Sequence, residues 1–579
     1  MNPFKVVIFT SVPPQRVAKV MARIRRDAPE AQVVGVLYAK YPRKNLKQRI
    51  ATWRKKMKRL VYWRYVLHRM WATVGRKLGG VVDKVIRFIH AAPRWPNGRQ
   101  DYGRDDLQAD CKANGAQILI VDDIHSEAAL DFVRHLDADL GLVFGTKILK
   151  PALFEIPKQG SINIHKRKVP DYRGGGAVGL WELLDDQKEI GVTVHRVEAK
   201  VDVGAVVRSA LIPIEPFDDL ESLALKADVV GSDLIVAAIR DFANGTVQEI
   251  PQVGPSKLFR NPAAEDLLQM KKKLAAQRET YGTPYRRPRW KLLAKSLRYA
   301  VPLALRNRRY KRESNYPVMI LYHHLVSDRP HRFGVSTAYF LSQLNYLLRH
   351  YRVVSLTEAV ELVRKGGVKV PTVAITFDDG YADNFVNLRA VSEETGVPIG
   401  YFISTEYISS GREFAHDELA EERGFLPNTW EQIKILKHSG YEIGSHTRNH
   451  ADCGSTDVEL LRHEIIGSAS DIEQNLGGTE HFSFPFGLPQ NISAPAAEIA
   501  HAKYKNVFSA YRGGNFRAEA RQILKRGNFP HTVWELELQL QSVLTGDAVE
   551  PPHLKARIDD IDTAEPSQIQ TTGSEQVGV

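Results

Sequence analysis

Two polar side chains on one short strand have the chemistry for acyl transfer. Asn163 and His165 lie two residues apart in the apolar run Ser161–His165, so in a strand both side chains face the same side of the sheet. An asparagine amide can donate to a developing oxyanion, while a histidine can polarise a carbonyl group or move a proton. Asp202 follows downstream, and a carboxylate near His165 would hold its tautomer and raise its pKa. An isolated Asn-x-His pair is usually structural, so this site depends on the sequence around it.

Carboxylates and histidines later in the chain have the spacing of a metal site. A buried apolar run ends in Asp378 and Asp379, which places their charges at the carboxyl end of a predicted parallel strand. His446 and His450 are four residues apart, and on a helical turn they would share one face about 5–6 Å apart. Two imidazoles and one carboxylate leave open positions for water and substrate, which is typical of a catalytic metal. Each motif alone is more often a surface feature or a turn.

Apolar runs alternate with helical stretches in two parts of the chain. In the first part the predicted strands are residues 5–10, 32–38, 116–121, 140–144 and 190–196. In the second part they are residues 318–322, 372–377, 399–403 and 442–445. This alternation predicts parallel sheets with crossover helices, and hence an α/β fold class. We therefore predict a first domain at 1–253 with a basic helical insertion at 40–100, a basic linker at 254–315, a second domain at 316–545 and a disordered tail at 546–579.

Charge is unevenly distributed along the 579 residues, whose formal net charge is +13. Residues 40–99 contain 18 Lys and Arg against one acidic residue, and residues 271–313 contain 15 against two. The rest of the chain is therefore acidic. An acidic body with two basic segments argues against a nucleic-acid coat or a histone-like role, in which basic residues cover most of the surface.

The cysteine count and the hydropathy pattern favour a cytoplasmic protein. The two cysteines, Cys111 and Cys453, are far apart, which excludes a disulfide framework and favours a reducing compartment. The N-terminal sequence MNPFKVVIFTSVPP lacks the apolar core and cleavage site of a signal peptide. No apolar run is long enough to span a membrane.

The basic segments have an amphipathic pattern. In residues 46–67, apolar residues follow the spacing of one helix face while Lys and Arg fill the other, and several Trp and Tyr are interspersed. Residues 286–312 have the same character, interrupted by Pro302. An anionic membrane surface is one candidate partner of residues 40–90 and 286–312. The alternative is that the apolar stripe packs on the protein body, and nucleic acid is the least favoured partner.

The sequence around the first site resembles a known family. SINIHKRKVPDYRGGG (161–176) and IGVTVHRVEAKVDVGAVV (190–207) resemble the formyltransferases that use 10-formyltetrahydrofolate, over about residues 100–215. The resemblance implies a Rossmann-like fold, oxyanion stabilisation by Asn163 and His165, and proton transfer from the attacking amine assisted by Asp202. The substrate-binding residues that it implies are Tyr172, Arg173 and Gly174.

This sequence departs from the formyltransferase pattern in its acceptor loop. The loop reads KRKVP where the family usually has a Ser-Leu-Leu-Pro type of sequence, so we expect a more basic acceptor side. The C-terminal extension of the tRNA-specific members is replaced by other sequence, which disfavours ordinary tRNA formylation.

The second part of the chain resembles the polysaccharide deacetylases, the NodB-like family (carbohydrate esterase family 4), over about residues 317–535. The motifs that carry the resemblance are LYHHLVSD (321–328), VAITFDDGYADN (373–384), GYEIGSHTRNHAD (440–452) and FSFPFG (482–487). The resemblance implies a distorted (β/α) barrel in which Asp379, His446 and His450 bind a metal ion, most simply zinc. It also implies that Asp378 is the base that takes a proton from water. The substrate-site residues that it implies are His323, Pro485 and Gly487.

Two positions depart from the deacetylase pattern. The third motif often begins with an arginine that orients the base, but Ser483 stands there. The late motif that carries the general acid is also altered, and the segment ILKRGNFPH offers His531 or Arg526 for that role.

Together the two sites predict a bifunctional enzyme. One domain would transfer a formyl group from 10-formyltetrahydrofolate to an amino sugar that is nucleotide- or lipid-linked. The other would use Zn²⁺ or another divalent metal to hydrolyse an N-acetyl or N-formyl group from a sugar. The alternative is one active domain with the other serving as a binding or membrane-docking module, and a weaker one is a nucleic-acid-linked formyltransferase.

Overall fold

The computed structural model describes residues 3–40, 103–281, 300–518 and 522–529, together with residues 84, 85, 87–90, 92, 294, 297–299, 536 and 540. The amphipathic helix predicted at 46–67, the tail predicted at 546–579 and His531 lie outside the described residues.

The first sheet is built from apolar segments of the first domain. Its order is β3-β2-β1-β4-β5-β7-β8, with parallel pairing from β3 to β5 and antiparallel pairing of β5 with β7 and of β7 with β8. The strands of this domain, with the small pair β6 and β9, are β1 Phe4–Thr10, β2 Ala31–Ala39, β3 Gln117–Val121, β4 Leu140–Phe144, β5 Ser161–His165, β6 Arg173–Gly174, β7 Glu189–Arg196, β8 Val206–Pro213 and β9 Leu258–Phe259. The α/β prediction is confirmed, but the expectation of a purely parallel sheet was wrong for β7 and β8.

Helices cover both faces of this sheet, so its central strands are buried throughout. In β1, every residue from Val6 to Thr10 is buried, as expected for a parallel strand between two helical layers. The helices of this part are α1 Pro14–Asp27, α2 Arg104–Ala113, α3 Glu127–Leu136, α4 Pro151–Phe154, α5 Leu180–Leu184, α6 Leu220–Asn244, α7 Ala264–Tyr281 and α8 Ala300–Glu313. The last two lie within the segment predicted as a linker.

The second sheet is parallel throughout, which suits an open barrel. Its order is β18-β17-β16-β15-β14-β10-β19, with β13 pairing on β14. The strands of this part, with the small pair β11 and β12, are β10 Val318–His323, β11 Leu325–Val326, β12 Gly334–Val335, β13 Arg352–Val353, β14 Thr372–Phe377, β15 Gly400–Ile403, β16 Glu442–Ser445, β17 His481–Ser483, β18 Asn506–Phe508 and β19 Gly527–Asn528. The prediction of a distorted (β/α) barrel is confirmed at the level of fold class.

The second sheet is surrounded by helices that complete its hydrophobic core. They are α9 Thr337–His350, α10 Leu356–Lys365, α11 Asn387–Thr395, α12 Thr405–Ser410, α13 Ala415–Glu418, α14 Trp430–His438, α15 Val458–Leu476 and α16 Ala494–Lys503. Short 3-10 turns occur at Ala382–Phe385 and Pro489–Asn491. Strand β14 is buried along its whole length, so its carboxyl end delivers the next two residues into the interior.

The two domains share a hydrophobic core and buried charges. Leu225 and Val229 of α6 join the core cluster that surrounds the second sheet. Beside them, Lys226 is 2% exposed, and its Nζ lies 2.9 Å from Asp218 and 2.8 Å from Asp328 Oδ2 of the second domain. This cation holds the two domains together, because without it both carboxylates would be buried with no opposite charge beside them.

Lys226→Met is expected to lower the free energy of unfolding by about 3–5 kcal/mol, because it leaves Asp218 and Asp328 buried without their cation. Urea denaturation followed by fluorescence measures the change. Lys434→Met is the matched control, since Lys434 is exposed and its one ion pair among the described residues is with Glu431 on its own helix. Equal stability of the two variants would contradict a stabilising role for the buried cluster.

Candidate functional site

The first site forms where β5 ends and the antiparallel strand β7 runs beside it. The pairing places Asn163 opposite His195, and Asn163 Nδ2 lies 3.1 Å from His195 Nε2. Asp202 lies in the turn after β7, with Oδ2 3.5 Å from His165 Nδ1 and Oδ1 3.5 Å from His195 Nε2. The structure therefore brings the predicted Asn163, His165 and Asp202 together. It adds His195, which sequence reasoning missed because the antiparallel pairing was not foreseen.

Backbone carbonyls fix the tautomers of both histidines. His165 Nε2 donates to Tyr172 O at 2.8 Å, and His195 Nδ1 donates to Arg196 O at 2.7 Å. The other ring nitrogen of each histidine therefore carries a lone pair in the neutral form and faces Asp202. This geometry gives a carboxylate beside two imidazoles, a group suited to accepting and passing protons.

Burial decides the charge state of this group. Burial lowers the pKa of His165 even though Asp202 alone would raise it, so the expected net rise was wrong. For Asp202, burial opposes ionisation, but the interactions with the imidazoles of His195 and His165 and the hydrogen bond from the Gly174 N–H outweigh it and lower the pKa. At neutral pH the site therefore holds a neutral His165 and an ionised Asp202.

The predicted substrate loop packs against the protein's own chain. Arg173 and Gly174 form β6, which pairs with β9, and the ring of Tyr172 stacks on Phe259 with centroids 5.1 Å apart. A Cβ atom at position 174 would lie 2.5 Å from Phe259 O, and the backbone there has φ +91°. An internal contact thus requires glycine at position 174, which the resemblance assigned to substrate binding. The Gly174 N–H donates to Asp202 Oδ2 at 3.0 Å, so this loop positions the carboxylate.

The basic residues of the acceptor loop are paired within the first domain. Lys166 forms an ion pair with Asp228, and Lys168 Nζ lies 3.5 Å from Asp171. Arg167 is 2% exposed and its Nη2 donates to Ala177 O at 2.7 Å. The net positive charge offered to an acceptor is therefore smaller than the sequence KRKVP suggests.

The second site contains the predicted metal-binding residues at the carboxyl end of the second sheet. Asp379 follows β14, and its Oδ1 lies 3.6 Å from His446 Nε2 and 3.3 Å from His450 Nε2. His446 and His450 follow β16 in a loop, so the expected helical turn was wrong. Asp379, Thr447 and His450 have φ of +72°, +62° and +53°. Non-glycine residues in this conformation concentrate at functional sites, where the surroundings hold them.

The donor set fits a divalent cation. His446 Nδ1 donates to Ser483 O at 2.7 Å, which leaves the Nε2 lone pair directed at Asp379. Burial lowers the pKa of His446 to about 4, and burial with the neighbouring histidines lowers that of His450 well below its usual value. Among the described residues, neither carboxylate oxygen of Asp379 has a hydrogen-bond partner. Two neutral imidazoles beside an unpartnered buried carboxylate are ligands that zinc accepts.

Asp378 is held by a bidentate ion pair. Its Oδ1 and Oδ2 accept from Arg526 Nη1 and Nη2 at 2.7 and 2.8 Å, and Arg526 is 1% exposed. Arg526 also donates to the hydroxyl groups of Thr376 and Ser483. Burial opposes ionisation of Asp378, but the charge of Arg526 outweighs it and lowers the pKa. Arg526 therefore lies next to Ser483, at the position where the family resemblance leads one to expect an arginine, and it is the buried partner of Asp378.

Arg526→Lys is expected to slow deacylation by about 10–100-fold, because an ammonium group cannot replace two charge-assisted hydrogen bonds. Weaker pairing raises the pKa of Asp378, so the acid limb of the pH–rate profile should move to higher pH. Steady-state rates across pH measure both effects. Arg364→Lys, at a surface arginine bound to Asn506, is the control. An unchanged pH profile would contradict a positioning role.

His323 and His324 lie at the end of β10 and have different surroundings. His323 Nδ1 accepts from the backbone N–H of His324 and of Leu325, at 2.9 and 3.2 Å. Its ring packs among Phe340, Phe377 and Phe529. His323 is 4% exposed and makes these internal contacts, and its role in the substrate site stays a prediction. His324 is partly exposed. Its pKa is lowered by burial and is also influenced by the nearby charges of Asp378 and Arg526.

The turn after β17 places an aromatic ring beside the metal ligands. Pro485 O accepts from the Gly487 N–H, and a Cβ atom at Gly487 would lie 2.5 Å from Ala510 N. Between them, Phe486 is 53% exposed, and its ring centroid lies 4.9 Å from that of His450. Pro485 and Gly487 thus shape the turn, and Phe486 is its solvent-facing side chain.

One further histidine, His416, reaches the second site from the short helix α13. His416 Nε2 lies 3.8 Å from Asp379 Oδ2 and 2.8 Å from Tyr381 Oη, and burial lowers its pKa to about 4. No motif in the sequence marks this residue. The adjoining Asp417 also has metal-ligand spacing with His331 and Glu422, but Arg332 pairs with both acids at 3.2 and 2.9 Å and offsets part of their charge.

Comparisons with known proteins find two domains. Residues 108–239 match the family model described as formyl transferase, and residues 365–507 match the one described as polysaccharide deacetylase. The chain thus contains a formyltransferase domain and a polysaccharide deacetylase domain, both of which belong to enzyme families. The formyltransferase family implies use of formyl-tetrahydrofolate.

Individual relatives cover only parts of the chain. A methionyl-tRNA formyltransferase of Halalkalibacterium halodurans is 32% identical over 148 residues, which are 25% of this chain and 46% of that protein. The chain therefore spans less than half the length of this relative. Similar solved structures include IcaB from Ammonifex degensii, with TM-score 0.34 and 22% identity over 39% of this chain and 97% of that one. A sugar N-formyltransferase from Shewanella has TM-score 0.29 and 12% identity over 47% and 87% of the two chains. Among the described helices, none is both long and apolar enough to cross a membrane.

Proposed function

We propose that the chain is a bifunctional enzyme of amino-sugar chemistry. The first domain transfers a formyl group from 10-formyltetrahydrofolate to a sugar amine, and the second hydrolyses an N-acyl group of a sugar with the help of a divalent metal. The observation that carries this proposal is the pair Asp378 and Asp379: one carboxylate is fully bonded to Arg526, and its neighbour is unpartnered beside two histidines. Adjacent carboxylates with such different surroundings suit the roles of base and metal ligand.

In the formyl transfer, the amine nitrogen attacks the formyl carbon and the bond from that carbon to N10 of the folate breaks. Asn163 uses one amide N–H toward His195, and its second N–H is available for the formyl oxygen as negative charge develops. Asp202 and the neutral His165 accept the proton that the amine loses and return it to N10 of the folate. The proton balance closes without another reactant.

In the deacylation, water adds to the amide carbonyl, the carbon–nitrogen bond breaks, and an amine and a carboxylate are released. Asp379, His446 and His450 would hold the metal ion, which when bound polarises the carbonyl and acidifies water. Asp378, which Arg526 orients and holds in its ionised form, accepts the proton from water, and this proton passes to the amide nitrogen as the carbon–nitrogen bond breaks. Phe486 offers an apolar face for the sugar ring beside His450.

Two activities in one chain suggest successive reactions on one substrate. Deacetylation followed by formylation would convert an N-acetyl sugar into an N-formyl sugar. In the reverse order, a formyl group would be added and later removed. Formyl-tetrahydrofolate is a cytosolic metabolite, so a sugar precursor suits both reactions better than a finished polymer does. A nucleotide- or lipid-linked amino sugar is such a precursor.

The experiment is to incubate the protein with 10-formyltetrahydrofolate and nucleotide-linked amino and acetamido sugars, and to read the product masses. Gain of a formyl group on the amine and loss of an acetyl group from the acetamide are expected. A chelator should stop only the second reaction, and metal analysis should find about one divalent ion per chain. Bound metal with no turnover on any N-acyl sugar would instead favour the second domain as a binding module.

A further inference from the structure

Helix α8 exposes apolar side chains where a soluble surface normally carries polar ones. Val301 and Leu305 are 68% and 61% exposed, and Leu297 just before the helix is 55% exposed. Phe88, in the short described segment at 84–90, is 82% exposed. We name these four residues, with the exposed arginines Arg298, Arg308, Arg309 and Arg312, the basic apolar patch.

The opposite face of α8 is anchored, so this exposure is set by the fold. Leu303, Asn307 and Tyr310 are buried, and the ring of Tyr310 packs on Phe516 of the second domain with centroids 5.4 Å apart. Asn307 Nδ2 donates to His90 O at 2.9 Å, which joins the segment 84–90 to the helix. The segment that carries Phe88 is therefore attached to the helix that carries Val301 and Leu305.

The charge of the patch is strongly positive. Residues 286–312 contain eleven Lys and Arg and no Asp or Glu. At the end of α8, Glu313 is the one acid near the patch among the described residues of that helix, and it pairs with Arg309 at 3.0 Å. The preceding insertion, residues 40–99, is also basic. The patch is therefore complementary in charge to an anionic surface.

We propose that the basic apolar patch docks the protein on an anionic lipid bilayer. A helix that lies in the plane of a membrane inserts its apolar side chains between headgroups while its arginines bind lipid phosphates. Nucleic acid would match the charge but would leave Phe88, Val301 and Leu305 without an apolar environment. The bilayer is the partner that satisfies both properties of the patch.

The test is co-sedimentation of the full-length protein with vesicles. Vesicles of phosphatidylcholine with 30% phosphatidylglycerol, about the content of an anionic membrane, should bind at least tenfold more tightly than pure phosphatidylcholine, and added salt should weaken binding. The double substitution Val301→Asp with Leu305→Asp should reduce binding at least tenfold. Both positions are exposed, so folding and both activities on water-soluble substrates should stay unchanged. Ile148→Asp, at an apolar residue 71% exposed elsewhere, is the matched control.

Two results would overturn the proposal. The first is equal binding of anionic vesicles by the wild-type protein and the double variant, which would assign docking to another part of the chain. The second is binding of single-stranded RNA more tightly than of vesicles, with the double variant unaffected. The proposal would be supported if the double variant lost vesicle binding and the Ile148→Asp variant kept it. This outcome does not depend on which substrates the two active sites use, because the assay measures binding only.

Discussion

Asp378→Asn is expected to slow N-deacylation by about 10²–10⁴-fold and to leave formyl transfer unchanged. The amide cannot accept a proton from water, and it presents an N–H to Arg526 in place of one carboxylate oxygen. Metal content should stay near that of the wild-type protein, because Asp379, His446 and His450 remain. Release of acetate from an N-acetyl sugar, measured beside metal analysis, separates the loss of the base from the loss of the metal.

Asp457→Asn is the matched control for this variant. Asp457 caps α15 by accepting from Glu459 N and Leu460 N, and asparagine caps a helix about as well. The control should therefore keep both activities. Deacylation that survives in Asp378→Asn at the rate of the control would show that another group takes the proton, and the assignment of Asp378 as the base would be wrong.

His165→Ala is expected to reduce formyl transfer by about 10²–10⁴-fold and to spare deacylation. The substitution removes the imidazole that faces Asp202 at 3.5 Å and the hydrogen bond to Tyr172 O that orients it. The measurement is formation of the formylated sugar from 10-formyltetrahydrofolate, with deacylation assayed in the same preparation.

His135→Ala provides the control in the same domain, since His135 is exposed on α3 and its Nδ1 contacts only Asp131 O there. It should leave both rates unchanged. If His165→Ala abolished both activities while the protein stayed folded, the two sites would not be independent, and the model of two separate active sites would fail.

The local sequence pattern was sufficient to predict the positions of site residues that belong to one short motif. Asn163 and His165 share a face of β5 because strand side chains alternate, and that period needs no partner strand. Asp379 is delivered by the end of a fully buried strand, which the apolar run before it predicts. The α/β fold class followed from the alternation of such runs with helices.

Contacts between distant segments were beyond the reach of the sequence. Arg526 pairs with Asp378 across 148 residues, and nothing in ILKRGNFPH distinguishes an arginine that orients a base from one that faces solvent. His195 reached the first site through an antiparallel pairing in a sheet predicted to be parallel. The ring of His323 packs on Phe377, because side chains alternate along β10, and the sequence alone did not indicate on which side of the strand this ring lies.

The sequence by itself therefore determined the two chemistries, since residue type and periodic spacing are local properties. The tertiary structure decided how those groups are charged and held. Burial reversed the expected pKa shift of His165, Arg526 replaced the missing arginine near Ser483, and Lys226 joined the two domains through buried acids. Each of these depends on desolvation or on pairing between residues far apart in the chain, and such energies exist only once the chain has folded.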